Sequence, residues 1–314
     1  MRPSLRYSLH SSRRLRLSSL LHKPHHFYSP QHFYSFSSGR PTLIQMSDNS
    51  SLSSHGPHAH SPAGCPVTGS AHGYCPAQKG DSRSPCPALN TMANHGYINR
   101  DGKNLSAWSI AKGLRECYGL TMPFSIFLSY TTFLLLRKFR PIDLYEIGKH
   151  AVVEHNASLV HHDTPPGQIY APIEIDQGLV EAVVKDAQTV VEAEVEVDGV
   201  KQKKTETLYS IFDMGRSRVR REKESPPLTS VQAKIARGEL AIIQAVWEKK
   251  VGEKVGSPIE WIKRWLGEER LPDGWKPDRE VGFVATNTRN KAIQKAMEEI
   301  RKQEAEAADP KAKL

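Results

Sequence analysis

The sequence predicts a mainly α fold, a single helical domain with one short β-hairpin. Leu105, Trp108, Ala111, Leu114 and Tyr118 recur at helical spacing, so one face of that segment is apolar. Thr121 to Leu136 is the most apolar run in the chain. Only Glu192 to Leu208 alternates at period two, and it does so around Asp198-Gly199, a hairpin turn signal.

Taken in order, the chain opens on a segment unlike the rest. Its 314 residues carry a formal charge of +9, and residues 1–47 supply most of it through Arg2, Arg6, Arg13, Arg14, Arg16, Lys23 and Arg40, with no acid before Asp48. Charge confined to one end is a tail property and not a groove, so nucleic acid is not expected as a partner. Arg-rich, Ser-rich and lacking a long apolar run, residues 1–47 read as a mitochondrial-type targeting segment rather than a secretory signal. A plain extension ahead of Met46 is the other reading. Both place the protein inside the cell, with the mitochondrion as one destination.

Residues 48–80 read as a linker with Cys-Pro elements. Three of the four cysteines precede proline, at Cys65, Cys75 and Cys86. Four cysteines are too few for a disulfide framework. Zinc held by Cys65, Cys75, Cys86 and His72 is a second reading, weakened because no C-x-x-C pair exists to form a knuckle.

Residues 81–284 form the expected domain. Pro87 suits the first position of a short helix, where a missing N–H costs nothing. The free N–H groups of Ala88, Leu89 and Asn90 then point back at the Cys86 sulfur and favour its thiolate. The run from Thr121 to Leu136 contains Pro123 and falls short of a bilayer span, so it reads as a buried helix, with Arg137, Lys138 and Arg140 leaving membrane attachment as a secondary reading. Val231 to Lys250 and Pro258 to Leu266 read as further helices. Residues 285–314 form a charged amphipathic helix and tail, in which Ile293, Met297 and Ile300 make a packing stripe.

Several of these segments carry signatures in a fixed order. Pro85-Cys86-Pro87-Ala88-Leu89-Asn90 with Ala93-Asn94-His95-Gly96-Tyr97, then Glu154-His155-Asn156-Ala157-Ser158, then Gly238-Glu239 and its apolar continuation, resemble the heme-thiolate peroxidases, the family of chloroperoxidase and the unspecific peroxygenases. Phe212-Asp213-Met214, Arg218 to Glu222 and the Leu271-Pro272-Asp273-Gly274-Trp275 turn add supporting similarity.

The resemblance implies a role for each matching residue. Cys86 is the axial ligand to the iron of heme b. Glu154, through its carboxylate, His155, through its backbone carbonyl, and Ser158, through its hydroxyl, hold Mg²⁺ or Mn²⁺ near a heme propionate. Glu239 is the catalytic acid–base, with His155 beside it. The partners implied are hydrogen peroxide and a small organic substrate, with halide as a side substrate; oligomeric state is not legible. An apolar stretch after Glu239 is expected to desolvate its carboxyl and raise its pKa.

One position departs from the family pattern. Position 156 is Asn where the signature has Asp, and an amide that hydrogen-bonds the His155 ring without supplying negative charge leaves that ring less basic and shifts the pH optimum. The other function class is a non-catalytic heme binder or sensor using the Cys-Pro elements. Glu154, Ser158 and Glu239 favour the enzyme, because reversible heme capture needs none of them.

Overall fold

The structure, a computed structural model, describes residues 70–197 and 200–308. Among the described residues, eight α-helices and a small sheet make a mainly α fold, as the sequence predicts. The expectations for Cys65, for the targeting segment and for the Asp198-Gly199 turn fall outside the described residues.

Helix α1 (Pro87–Asn94) starts at Cys86, whose extended backbone and the following proline set the first turn. Helix α2 (Ala107–Tyr118) begins at a Ser106–Ser109 capping box and ends at Gly119, which is left-handed at φ 70°. Gly113 lets the two helices touch, since a Cβ there would meet the Met92 side chain at 2.6 Å. The buried face of α2 is Ala107, Ile110, Ala111, Leu114, Cys117 and Tyr118. Trp108, expected on that face, is 48% exposed, because Ala107 and Ile110 occupy the inward positions of the same turn.

Helix α3 (Met122–Leu135) packs along α2. At 14 residues it is about 21 Å long. Among the described residues no helix is long and apolar enough to cross a membrane. A 3₁₀ turn (Leu144–Gly148) and an irregular loop follow, leading to α4 (Gln177–Asp186), capped by the Asp176 carboxylate.

Strands β1 (Thr189–Val197) and β2 (Val200–Tyr209) pair antiparallel as the expected hairpin, with Thr189 opposite Leu208. Helix α5 (Ile211–Glu224) and helix α6 (Ser230–Trp247) each start at a capping box, Ser210–Asp213 and Thr229–Gln232. The chain then turns into β3 (Lys249–Val251) and β4 (Lys254–Pro258), so the helix expected to reach Lys250 ends at Trp247. All pairing is antiparallel and the sheet order is β1-β2-β4-β3.

Helix α7 (Ile259–Glu268) presents Ile259, Ile262, Trp265 and Leu266 inward. Helix α8 (Phe283–Ala308) packs on α5 and α6 through Ile293, Met297 and Ile300, all buried. Its first residue packs its ring at a steep angle against Phe124 and Phe127 of α3, at 4.8 and 5.1 Å between ring centroids. One apolar core therefore joins α1 to α8, and the cavity described next lies inside it.

Candidate active site

A cavity of about 280 Å³ is walled by the start of α1, the inner face of α3, the loop around residues 153–161, α6 and α7. Cys86, Glu154, His155, Ser158 and Glu239 all line it, so the fold brings together residues that the sequence scatters over more than 150 positions. Its other walls are largely apolar, among them Leu89, Phe133, Leu240, Val246 and Trp247.

Cys86 is a free thiol at the N-terminus of α1. Burial pushes its pKa up to about 11, against the pull of the Leu89 and Ala88 N–H groups on the sulfur. Desolvation therefore outweighs the helix N-terminus and favours the proton on the sulfur when no cation is there. The Asn90 N–H, expected at the sulfur, instead donates to the Cys86 carbonyl at 3.2 Å. Bonding to a metal exchanges that proton for a cation.

Behind the cysteine lies a buried polar network. The Asn90 amide donates to the Glu269 carboxylate at 2.6 Å and to the Ser84 carbonyl at 2.7 Å, while its oxygen accepts from the Ser84 N–H at 2.9 Å. Ser84 in turn accepts from the Cys86 N–H at 3.3 Å. Burial raises the Glu269 carboxyl above its ordinary value, although Asn90 and Arg83 oppose the shift. This network is not legible in the sequence, because Glu269 stands far from Asn90 along the chain.

The acid–base pair has direct geometry. His155 Nε2 is 3.5 Å from Glu239 Oε2, with the ring buried. The His155 Nδ1–H donates to the Asn156 backbone carbonyl at 2.7 Å. Burial lowers the affinity of His155 for a proton, but the Glu239 charge and hydrogen bond and the Asn156 carbonyl overcome it, and the net shift is upward. The Asn156 amide does not hold the ring as expected: its oxygen accepts from the Thr164 N–H at 3.2 Å. Nor is Glu239 desolvated, for its side chain is 58% exposed. The apolar residues of this helix that point inward, among them Ala236, Leu240 and Ala241, flank Glu239 without covering it.

Glu154 and Ser158 are committed elsewhere. The Glu154 carboxylate pairs with His150 Nδ1 at 2.7 Å, and the Ser158 hydroxyl oxygen accepts from the Val160 and His161 N–H groups, both at 3.2 Å. An oxygen that accepts two hydrogen bonds has no lone pair left for a cation. Ser158 as it stands therefore does not suit the implied Mg²⁺ or Mn²⁺, whereas Glu154 uses only one of its two carboxylate oxygens in the His150 pair.

The loop carrying these residues is clamped from α5. Arg218 donates to the Ala157 carbonyl and Arg221 to the Ser158 carbonyl, each at 2.7 Å. Both arginines are buried. A further residue absent from the sequence reading is His161, fully buried in the cavity wall, with its Nδ1 on the Glu174 carbonyl at 2.8 Å.

The zinc set is not assembled. Cys75 is disulfide-bonded, and the His72 ring stacks on Tyr97 with centroids 3.9 Å apart, away from the cavity that holds Cys86. A Cys-Pro sensor is equally without support, since its Cys75 thiol is consumed.

The family model for peroxidase, family 2, matches residues 72–280, well over half of the chain and all of the cavity. The chain belongs to peroxidase family 2. It is 26% identical over 234 residues to the chloroperoxidase of Leptoxyphium fumago, covering 66% of this chain and 58% of that protein. It is also 36% identical over 64 residues to an aromatic peroxygenase of Coprinellus radians, covering 20% of this chain and 24% of that protein. Over a shorter stretch of 36 residues it is 53% identical to an aromatic peroxygenase of Cyclocybe aegerita, covering 12% of this chain and 10% of that protein. The chain thus spans little more than half the length of the chloroperoxidase.

For a member of this family the chemistry of the cavity fits a heme: one soft sulfur donor at a helix start, broad apolar walls, and a carboxylate with a histidine partner facing the same space.

Proposed function

We propose that this chain is a peroxidase or peroxygenase that uses hydrogen peroxide to oxidise or oxygenate small organic molecules, with Cys86 as the axial ligand to heme b. The observation that carries the reading is the His155–Glu239 pair, 3.5 Å apart, lining the same apolar cavity as the Cys86 thiol.

Heme bound by Cys86 supplies the iron at which the peroxide O–O bond is cleaved, and a thiolate ligand favours that cleavage. The chain's own task is to move a proton. Glu239 Oε2 would take it from one peroxide oxygen and return it to the departing one. His155, fixed in direction by its bond to the Asn156 carbonyl, presents Nε2 to Glu239 and keeps the carboxylate oriented. Apolar walls at Phe133, Leu240 and Trp247 exclude water and admit substrates by size. Halide oxidation belongs to this proposal as a side activity of the same site. A divalent cation held by Glu154 would need the Ser158 hydroxyl to turn away from the Val160 and His161 N–H groups.

The test is the optical spectrum of heme-reconstituted protein, reduced and exposed to carbon monoxide, for the wild type, Cys86→Ala and Glu239→Gln. A strongly red-shifted Soret band is expected in the wild type and in Glu239→Gln, and is lost in Cys86→Ala, while peroxide turnover is lost in Glu239→Gln. A histidine-type spectrum, or full turnover by Glu239→Gln, overturns the assignment.

A further inference from the structure

Helix α3 has two faces with different fates. No charged residue occurs from Leu120 to Leu136, so the helix is apolar all round. On one side Leu128, Ser129, Thr132 and Phe133 line the cavity. On the other, Phe127, Tyr130 and Leu135 are about half exposed and Leu134 is 64% exposed, at the i, i+3, i+7 and i+8 positions of one stripe. Phe139 just beyond the helix is 89% exposed and Val284 at the start of α8 is 82% exposed. A cluster of large apolar side chains left in water on a folded domain marks a place where something binds.

The charges beside the stripe say what. Arg137, Lys138 and Arg140 follow the helix directly. Lys138 and Arg140 share one carboxylate, Glu146, at 2.6 and 2.9 Å, so three cations are answered by a single buried acid. Arg137 occupies the left-handed position of the helix end, φ 54°, with its N–H on the Leu134 carbonyl and the Lys138 N–H on that of Phe133. Glycine suits that position better, so a guanidinium stands here in spite of local strain.

We propose that this face of α3 is a docking surface for an anionic phospholipid bilayer, on which the helix lies in the plane of the interface. The helix, at about 21 Å, is shorter than the roughly 30 Å hydrocarbon core and does not cross it. Its apolar stripe enters the acyl boundary, Tyr130 sits among the headgroups, and the cations meet lipid phosphate and carboxylate. A second copy is a poorer occupant, because a two-fold pairing of this face brings like-charged clusters together. Docking places the cavity behind α3 one helix width from the lipid, which suits delivery of apolar substrates. The surface itself stands independently of the heme assignment.

The experiment is sedimentation of the full chain with phosphatidylcholine vesicles, with and without phosphatidylserine. The wild type is expected to bind the mixed vesicles at least about tenfold tighter than the neutral ones, with high salt erasing the difference. Leu134→Ser with Phe139→Ser is expected to weaken binding about tenfold. Arg137→Gly, which suits the backbone conformation there, is expected to lower the phosphatidylserine preference roughly fivefold. Far-ultraviolet circular dichroism verifies that these surface variants stay folded. Three outcomes overturn the proposal: no vesicle binding, binding unchanged in the apolar double variant, which would assign it to the basic residues 1–47, or a dimer in free solution that the same variant dissociates.

Discussion

The guanidinium of Arg218 holds the carbonyl of Ala157 at 2.7 Å from a side chain that is almost wholly buried. Ala157 needs that hold. Its φ of 63° is left-handed, a conformation that costs a residue with a Cβ roughly 1–2 kcal/mol. The Asp163 carboxylate accepts from the Ala157 N–H at 2.7 Å, and Arg221 fixes the next carbonyl, so the strained turn is tied on three sides. Those ties aim the His155 ring at Glu239.

Arg218→Ala is therefore expected to cost about 3–5 kcal/mol in urea unfolding, since it leaves Glu222 and a strained carbonyl without their buried cation. Arg218→Lys should recover only part, because a single ammonium does not reach both partners with fork geometry. A loss under 1 kcal/mol in the alanine variant would remove Arg218 from this role.

His95 gives stability a pH dependence. Burial drives its pKa down to about 4 from 6.5, the His72 carbonyl opposing and Arg100 adding to the shift. The neutral ring is the one that fits: Nδ1–H donates to the His72 carbonyl at 2.9 Å and Nε2 accepts from the Leu271 N–H at 3.1 Å. A histidine depressed in the fold binds its proton more readily when unfolded. Its contribution is thus complete above about pH 6.5 and is lost as pH falls towards 4, amounting to about 3 kcal/mol. Urea midpoints measured from pH 7 to 4.5 should fall more steeply for the wild type than for His95→Gln.

Glu269 has the opposite sign. Its carboxyl is raised, chiefly by burial, so the protonated form suits the fold and the advantage disappears as pH rises through the shifted value. Glu269→Gln keeps an oxygen to accept from Asn90 and carries no charge. At pH 7 it should melt higher than the wild type, and the gap should close in acid. A lower melting temperature at pH 7 would mean that the charge on Glu269 is held favourably by Arg83.

The last helix is part of the core. Ile293 is fully buried and Ala296 sits 3.0 Å from where a Cβ would stand on Gly215 of α5. Ile293→Ala should cost about 2–5 kcal/mol. Removing everything after Gly282 strips the cover from α5 and α6 and should give insoluble protein; a soluble, cooperatively unfolding fragment would show that the helix is dispensable.

Much of this architecture was legible because its signals are local. The Pro87 start, the alternation of the two strands on either side of Asp198-Gly199, and the stripe of Ile293, Met297 and Ile300 each dictate structure over a few residues. What escaped depends on distance in space. Trp108 has the right spacing for the α2 stripe, yet Ala107 and Ile110 fill the inward positions. Arg218 and Arg221, in the charged run of α5, turn inward to carbonyls some sixty residues earlier. Glu239 begins an apolar run without being covered by it. Asn156 lies beside the histidine in sequence but sends its amide to Thr164 and offers only its backbone. The Cys86 thiol shows the same limit, because the helix start is visible in the sequence and the desolvation that outweighs it is not.

Trp247 lines the main cavity on one side and, on the other, a smaller surface pocket of about 170 Å³ with Trp261, Trp275 and Lys249. The partition between these two spaces is one indole thick at that point. Its ring is wedged at 4.2 Å from that of Trp275 and about 6 Å from Trp261, Trp265 and Tyr118, which leaves it no room to swing aside. A small residue there would join the two spaces and open a route through the present wall for water and small molecules.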